Sequence, residues 1–258
     1  MTRRRFYAPP DAFKPDGGSV TLSEEESRHL RDVLRLRAGE EAFVFDGEGR
    51  EFACVVAEAG GRRGPARLEI RASVSPPSRE SPLSLTLGVA LLKGEKFDLV
   101  VQKATELGAA RVVPVVTRRA DVRVRDEREA VRRVERWRRL ALEACKQSGR
   151  ARVPAVGAPV ALAELTAAAA VNSRGASARL MFAERGGAGL DEVAAGWAER
   201  PASAVALVGP EGGWDDGEID EAARAGWTVV TLGGRVLRAE TAAVVVAALL
   251  QHLLGDLK

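Results

Sequence analysis

The fold of this chain is decided by residues 204–241, which read AVALVGPEGGWDDGEIDEAARAGWTVVTLGGRVLRAET. Two apolar runs, at 204–208 and 228–232, are each followed by a glycine-rich loop that opens a helix. Such runs are typical of strands that are buried on both faces, and their alternation with helices predicts a mostly parallel sheet covered by helices on both sides. The stretch therefore predicts an α/β fold.

The same alternation continues towards the N-terminus as far as residue 83. The hydrophobic pattern predicts strands at 83–92, 112–116 and 180–183, and helices at 95–107 and 127–146. In the long second helix, the inward-facing side chains are expected to be Val131, Val134, Trp137 and Ala141. These elements extend the α/β domain over most of the chain.

The last two helices carry clear end and burial signals. Asp215 and Glu218 have the spacing of a capping box at the start of the helix after the first glycine-rich loop. The final helix, at 240–254, is apolar almost all round, at Val244, Val245, Val246, Leu249, Leu250, Leu253 and Leu254. Because a surface helix has a polar side, this helix is expected to be buried in the domain or in a dimer interface.

The first seventy residues predict a different, mainly β domain. Short β-prone runs lie at 41–45, 51–56 and 67–71, and the first two flank a hairpin turn. A helix capped by Ser23 and Glu26 is expected to bury Leu30, Val33 and Leu34 and to end at Gly39. Strands this short need closure, so we expect a small barrel at 1–74, a proline-rich linker at 75–82 and the α/β domain at 83–258.

Composition indicates a globular chain that stays in a reducing compartment. Of its 258 residues, 46% are hydrophobic and 29% are charged, without an apolar run of membrane-spanning length or a signal-peptide pattern. Cys54 and Cys145 are isolated, which favours packing cysteines over a disulfide or a zinc site. We therefore expect a cytoplasmic protein without a metal.

The positive charge is concentrated in the middle of the chain. Residues 81–160 contain 17 basic and 9 acidic side chains, whereas residues 1–80 contain 14 of each. This excess favours a nucleic-acid partner. It also fits a solvated helix face, and the pattern does not decide between the two.

The two glycine-rich loops, at 209–215 and 233–241, are the best candidate site. Loops that follow parallel strands meet at the carboxyl edge of the sheet, where glycines let a ligand approach the backbone. On neighbouring strands they would form a cleft for an adenine-bearing ligand, with Val208 and Leu237 as apolar walls. The alternative is a pair of tight turns, but Arg238 and Glu240 between the loops favour a site. A phosphate-binding P-loop motif is absent from the sequence.

Several motifs together resemble one known family. They are RFY at 5–7, HL at 29–30, RAG at 37–39, KGEK at 93–96, QKATELG at 102–108, QSGR at 147–150, GPEGG at 209–213 and LRAETA at 237–242. In order and spacing the chain is similar to the RsmE family of 16S ribosomal RNA uridine-N3 methyltransferases, of the SPOUT class. The resemblance implies a SPOUT-type domain with a deep C-terminal trefoil knot, a PUA-like RNA-binding barrel, and a homodimer that uses S-adenosylmethionine on uridine 1498 of the assembled small subunit.

The resemblance and the chemistry of the reaction also suggest residue roles. Arg238 is the candidate to stabilise the uridine anion, and Glu240 or Glu211 would take the proton or orient Arg238. The expected cofactor-binding residues are Leu207, Val208, Gly209, Pro210, Glu211, Gly212, Leu232, Gly233, Arg235, Val236, Leu237, Thr241 and Ala242. The expected RNA-binding residues are Arg4, Arg5, Arg28, His29, Arg35, Lys93, Lys103, Arg118 and Arg150, with ordinary surface roles as the alternative.

Two other functions remain open from the sequence. The chain would fit a noncatalytic ribosome-assembly factor that binds RNA through its basic segment and barrel. It would also fit a related SPOUT methyltransferase that acts on transfer RNA. Cofactor binding separates the first alternative from an enzyme, and nucleoside analysis separates the second.

Overall fold

A computed structural model describes residues 3–61, 64–171 and 177–258. The chain divides into two compact units, one made of Met1–Glu80 and Leu142–Val153, the other of Ser81–Ala141 and Pro154–Lys258. The packing of residues 142–153 with the first unit was not predicted, because helix periodicity does not report where the end of a helix docks. The domain boundaries at 1–74, 75–82 and 83–258 stay a prediction.

The first unit is built on a five-stranded sheet in the order β1-β3-β4-β5-β2. Its strands are β1 (Arg5–Tyr7), β2 (Ser19–Thr21), β3 (Glu41–Phe45), β4 (Glu51–Glu58) and β5 (Arg67–Val74). The three predicted strands are confirmed, and the hairpin joins β3 to β4 in antiparallel register. The strands β1 and β2 were missed because three residues are too few to show a period.

The helical segment of the first unit differs from the prediction. Ser23 caps α1 (Glu24–Arg28) by accepting a hydrogen bond from the Glu26 backbone, as expected. A π-helical turn follows at His29–Val33, and Arg35 then has a positive φ of 55°. Leu30 is fully buried, whereas Val33 and Leu34 are 66% and 37% exposed. The predicted continuous helix up to Gly39 is wrong, because the helical turns end at Val33 and the left-handed φ of Arg35 prevents their continuation. The predicted burial of Val33 and Leu34 is also wrong.

The second unit contains an eight-stranded sheet in the order β11-β13-β10-β12-β6-β7-β8, with β9 also paired to β7. All of its pairings are parallel, which confirms the predicted α/β architecture. Its strands are β6 (Ser84–Ala90), β7 (Arg111–Val116), β8 (Ala155–Val156), β9 (Val160–Ala161), β10 (Ser177–Phe182), β11 (Ala188–Gly189), β12 (Ser203–Val208) and β13 (Thr228–Thr231).

The remaining helices are α2 (Lys96–Glu106), α3 (Glu127–Ser148), α4 (Leu162–Val171), α5 (Leu190–Ala195), α6 (Asp216–Arg224) and α7 (Ala239–Leu254). The capping box at the start of α6 is present, as predicted. In α3, Val134, Trp137 and Ala141 are buried, but Val131 is 49% exposed. The inward assignment of Val131 is wrong because it lies about one turn before the buried stretch of the helix, which begins at Val134 and packs through Trp137 on Phe97 of α2.

Helix α7 packs against α2 and against the sheet. Its buried side includes Val246, Ala247 and Leu250, all inaccessible to solvent. The apolar side chains on its other side are only half-buried, at Val244, Val245, Leu249 and Leu253.

In the described ranges, no helix is long and apolar enough to cross a membrane. The deep trefoil knot stays a prediction.

Candidate functional site

A cavity of about 470 Å³ lies at the carboxyl ends of three parallel strands in the second unit. Residues of both glycine-rich loops line it, so the predicted convergence of the two loops is confirmed. Its size falls in the range of small-molecule and cofactor sites. The lining is formed by Lys96, Phe182, Ala183, Glu184, Val208, Gly209, Pro210, Glu211, Trp214, Thr231, Leu232, Gly233, Gly234, Arg235, Val236, Leu237, Arg238, Ala239 and Ala242.

The two loops do not follow neighbouring strands, which corrects the sequence interpretation. Strand β10 pairs with β12 on one side and with β13 on the other, so it separates them. Its end therefore adds Phe182, Ala183 and Glu184 to the cavity lining. The sequence pattern predicted β10 but not its position between β12 and β13. Strand order is set by crossover connections, which leave no local pattern in the sequence.

Trp214 attaches the first loop to the end of β10. Its Nε1 donates to the carbonyl oxygen of Phe182 at 2.8 Å, and the side chain is 5% exposed. The indole packs so closely on Gly209 that a Cβ there would lie 3.1 Å from the ring. Gly209 is therefore needed for close approach rather than for an unusual φ. Trp214 was not among the site residues predicted from the sequence, although an indole beside a glycine run is a usable signal.

The second loop reverses direction through two consecutive glycines. Gly233 and Gly234 have φ values of 66° and 71°, a region that residues with a Cβ rarely adopt. The turn is held by a hydrogen bond from the Arg235 backbone to the Gly233 carbonyl at 2.9 Å. It leaves Val236 78% exposed at the cavity.

An ion pair joins α2 to the first loop inside the cavity lining. Lys96 Nζ lies 2.9 Å from Glu211 Oε1. Burial raises the pKa of the Glu211 carboxyl, but hydrogen bonds from Lys96 and from the backbone outweigh burial, so its pKa lies below the ordinary value. Glu211 is therefore an ionised carboxylate and a weak base. Lys96 lies in the KGEK motif, but no role was predicted for it from the sequence.

Arg238 and Glu240 occupy different positions at the start of α7. Arg238 is the N-cap residue, lines the cavity and is exposed. No ion pair of the described residues includes it, so its guanidinium is available to a ligand. Glu240 is half-buried and is not among the lining residues. Within the described chain, its Oε2 atom is buried without a hydrogen-bond partner.

Most of the expected cofactor-binding residues line the cavity. Three do not: Leu207, Gly212 and Thr241. Leu207 is fully buried in the core cluster with Met181 and Trp227, because side chains alternate along a strand. The lining set is Val208, Gly209, Pro210, Glu211, Leu232, Gly233, Arg235, Val236, Leu237 and Ala242.

Two expected RNA-binding arginines are buried in the first unit. Arg5 is 8% exposed, pairs with Glu51 at 2.7 Å and donates to the carbonyl oxygens of Cys145 and Arg150. Arg150 is 3% exposed and pairs with Glu80 at 2.6 Å. Both side chains hold the fold of this unit together, and their predicted RNA contacts stay a prediction.

Three expected RNA-binding residues of the second unit form ion pairs on its surface. Lys93 pairs with Asp121 at 2.7 Å, and Lys103 pairs with Glu106 at 2.8 Å. Arg118 binds Asp215 at 2.9 Å and Glu221 at 2.7 Å. Hydrogen bonding to Arg118 is the main reason why the pKa of Asp215 lies below its usual value. Arg118 thus braces the start of α6 and, through it, the first loop.

The other expected RNA-binding residues lie on the first unit. Arg28 and Arg35 are exposed, and Arg4 forms a surface ion pair with Glu40 at 3.0 Å. Arg4 and His29 line a second cavity of about 420 Å³. This cavity also contains Leu34, Lys146 and Gln147, so it brings the HL and QSGR motifs together.

The cysteines match their expected packing role. Cys54 and Cys145 are free and buried, and desolvation raises the pKa of each thiol to about 12. Among the described residues, no group of three or more histidine, cysteine, aspartate or glutamate side chains is arranged to hold a metal ion.

Comparison with known proteins identifies the class of this chain. A family model described as an RNA methyltransferase domain matches residues 79–251, and a model described as an RNA methyltransferase PUA domain matches residues 22–64. The chain therefore belongs to the RNA methyltransferases. The predicted SPOUT-type α/β fold with an N-terminal PUA-like domain is confirmed.

The relatives narrow the family further. The ribosomal RNA small subunit methyltransferase E of Synechocystis is 34% identical over 98% of this chain and 78% of that protein. The enzyme of the same name from Mycobacterium tuberculosis is 34% identical over 90% of this chain and 86% of that protein. The chain belongs to this family, as the sequence motifs predicted.

Two solved structures with bound S-adenosylmethionine have the same fold. The ribosomal RNA small subunit methyltransferase E of Neisseria gonorrhoeae has a TM-score of 0.84 at 32% identity, covering 99% of this chain and 100% of that chain. A methyltransferase of Legionella pneumophila has a TM-score of 0.85 at 29% identity, with the same coverage. The similarity therefore extends over both units.

Proposed function

We propose that this chain transfers the methyl group of S-adenosylmethionine to N3 of uridine 1498 in the 16S ribosomal RNA of the assembled small subunit. The observation that carries the proposal is the shared cavity of the two glycine-rich loops, with the unpaired Arg238 at its edge. The names of the relatives and the S-adenosylmethionine bound in two similar structures support it.

The residues of the cavity fit this cofactor. Val208, Phe182 and Leu237 offer apolar surfaces suited to an adenine ring. Glu184 and Glu211 add carboxylates, which suit the positive charges of a sulfonium and an ammonium group. When bound, S-adenosylmethionine supplies a methyl group on a positively charged sulfur. Backbone groups of both loops would hold it, since glycines leave the backbone open.

Methylation of N3 requires the uridine to lose a proton, which leaves negative charge on N3 and the flanking carbonyl oxygens. Arg238 is placed to stabilise this charge, because a guanidinium presents several fixed donors and stays protonated. Its position at the N-cap of α7 adds the favourable field of the helix N-terminus. Arg238 is the proposed catalytic residue.

Glu211 is the proposed proton acceptor because it is a carboxylate of the cavity lining. Its ion pair with Lys96 keeps it ionised but makes it a weak base. Arg238 is therefore expected to supply most of the rate acceleration of methyl transfer. Glu240, which does not line the cavity, is proposed to stabilise the first turn of α7 and so to orient Arg238.

The proposed assembly is a cytoplasmic homodimer with a deep trefoil knot. The half-exposed apolar side of α7 and the exposed Val236 support a subunit interface beside the cavity, because apolar side chains grouped on a surface favour association. RNA would contact Arg4, Arg28, His29 and Arg35 on the first unit. We omit Arg5 and Arg150 because they are buried.

Nucleoside analysis of ribosomal RNA from a deletion strain tests the proposal. We expect 3-methyluridine at position 1498 to disappear, and to return when this chain is supplied. Retention of the modification in the deletion strain would refute the assignment. Loss of a transfer RNA modification instead would indicate the related methyltransferase. RNA binding without calorimetric binding of S-adenosylmethionine would indicate a noncatalytic assembly factor.

A further inference from the structure

One face of helix α3 is fixed in the interior of the second unit. Val134, Trp137 and Ala141 are buried, and Trp137 Nε1 donates to Asp98 Oδ1 at 3.0 Å. The Trp137 ring also lies 4.4 Å from that of Phe97, measured between centroids. Because this face is held by packing and by a hydrogen bond, the orientation of the opposite face is fixed as well.

Three arginines form a straight strip on that opposite face. With 3.6 residues per turn, Arg128, Arg132 and Arg139 fall within an arc of about 40° and span about 16 Å along the axis. All three are exposed. The ion pairs of α3 in the described ranges involve Arg133, with Glu129, Arg136, with Glu95 and Asp98, and Lys146, with Glu26 and Glu143. The strip therefore has no carboxylate partner there. We name these three residues the α3 arginine strip.

Most of the other cations between residues 81 and 141 form ion pairs with neighbouring carboxylates. The pairs include Lys93–Asp121, Lys96–Glu211, Lys103–Glu106, Arg118–Asp215 and Arg119–Asp215. A carboxylate at ion-pair distance cancels most of the field that a cation exerts on a remote charge. The α3 arginine strip therefore adds three charges without a carboxylate partner to the positive field of this stretch, and Glu135 is the acidic side chain on the same line.

We infer that the α3 arginine strip binds the phosphate backbone of the RNA substrate, outside the cofactor cavity. The inference rests on the proposed function, since that function supplies RNA as the partner. Guanidinium groups match phosphates with two parallel hydrogen bonds and keep their charge at any relevant pH. Phosphate contacts position an RNA without reading its sequence, so the strip orients the substrate while the cavity selects the base.

The test measures RNA affinity as a function of salt for the full chain, with a protein-free 16S ribosomal RNA transcript as the probe. Each phosphate contact contributes about 0.7 to 0.9 to the slope of log K against log salt. The variant R128Q/R132Q/R139Q should reduce the magnitude of this negative slope by about 2 to 3. It should also weaken binding roughly tenfold to a hundredfold at physiological salt. Its affinity for S-adenosylmethionine should not change.

Two control variants separate charge from helix damage. E135Q removes the negative charge of Glu135, which lies on the same line as the α3 arginine strip, and should tighten RNA binding. R224Q removes an exposed arginine of α6 and should leave the slope unchanged. If the triple variant does not fold, the single variant R132Q should still lower the slope by about 0.7 to 0.9.

The outcomes distinguish this inference from the proposed function. If the triple variant retains the wild-type slope, or if E135Q weakens binding as much as the triple variant does, the inference is overturned while methylation by the wild type stands. If the triple variant binds the bare transcript normally but loses affinity for assembled subunits, the strip contacts a ribosomal protein and not RNA. A wild type that neither methylates assembled small subunits nor binds the transcript overturns both.

Discussion

Replacement of Trp214 by phenylalanine tests how the first glycine-rich loop is held at the cofactor cavity. The lost hydrogen bond, at 2.8 Å to the Phe182 carbonyl, would leave a buried acceptor unsatisfied at a cost of about 1–3 kcal/mol. Because Phe182 and Gly209 both line the cavity, release of the first loop from β10 would also change the shape of the cavity. We expect the affinity for S-adenosylmethionine to fall about tenfold, which is ~1.4 kcal/mol.

Trp227 offers a matched control for this substitution. It is 4% exposed, belongs to the same core cluster as Trp214, and within the described residues its Nε1 atom has no hydrogen-bond partner. Trp227→Phe removes the same ring volume without breaking a hydrogen bond. The difference between the two variants in the free energy of unfolding therefore isolates the Trp214 bond, and should be about 1–3 kcal/mol.

The four tryptophans of the chain all lie in the second unit, so their fluorescence follows the unfolding of that unit in denaturant. Calorimetry with S-adenosylmethionine gives the affinity of each variant. Equal losses of unfolding free energy in the two variants, or undiminished cofactor affinity in Trp214→Phe, would refute the reasoning. In either case the indole would fill space without positioning the loop.

Two further predictions concern the chemistry of the cavity. Arg238→Ala should keep S-adenosylmethionine affinity within about tenfold, or ~1.4 kcal/mol, yet lose most methyl transfer, and undiminished turnover in a methylation assay would contradict its role. The lowered pKa of Glu211 means that its contribution to stability is present above its ordinary pKa of 4.5 and is lost as pH falls through the lowered value. Lys96→Met removes the hydrogen bond and the charge of Lys96 that lower this pKa, so the pKa of Glu211 should rise. Cofactor binding in titrations at decreasing pH should then fail at a higher pH than in the wild type, and identical profiles would exclude the ion pair as the cause.

Local patterns in the sequence were sufficient for the elements that depend on neighbours along the chain. The capping box of Asp215 and Glu218 formed as expected, since both hydrogen bonds lie within one helical turn. The two loops also met as expected, because parallel strands place their carboxyl ends at one edge. The family resemblance supplied the PUA-like domain, which periodicity alone described only as a small barrel.

Features that depend on long-range order were not predictable in this way. Strand β10 lies between β12 and β13, so Phe182 and Glu184 entered the cavity although they precede its first loop by more than twenty residues. Val33 and Val131 were assigned inward from helical periodicity and are exposed. Both residues occur at the spacing that a buried helix face requires. The segment around each of them nevertheless lies beyond the part of the element that packs on the core.

The charged residues show why a regional count of charge is a weak guide to binding. The middle of the chain has 17 basic and 9 acidic side chains, yet Arg118 and Lys93 are paired with carboxylates and Arg150 is buried. A buried or paired cation supports the fold and adds little to the external field. The informative cations are those without an ion-pair partner, and among the described residues they include Arg238 at the cavity and the α3 arginine strip, where negative charge on RNA would be stabilised.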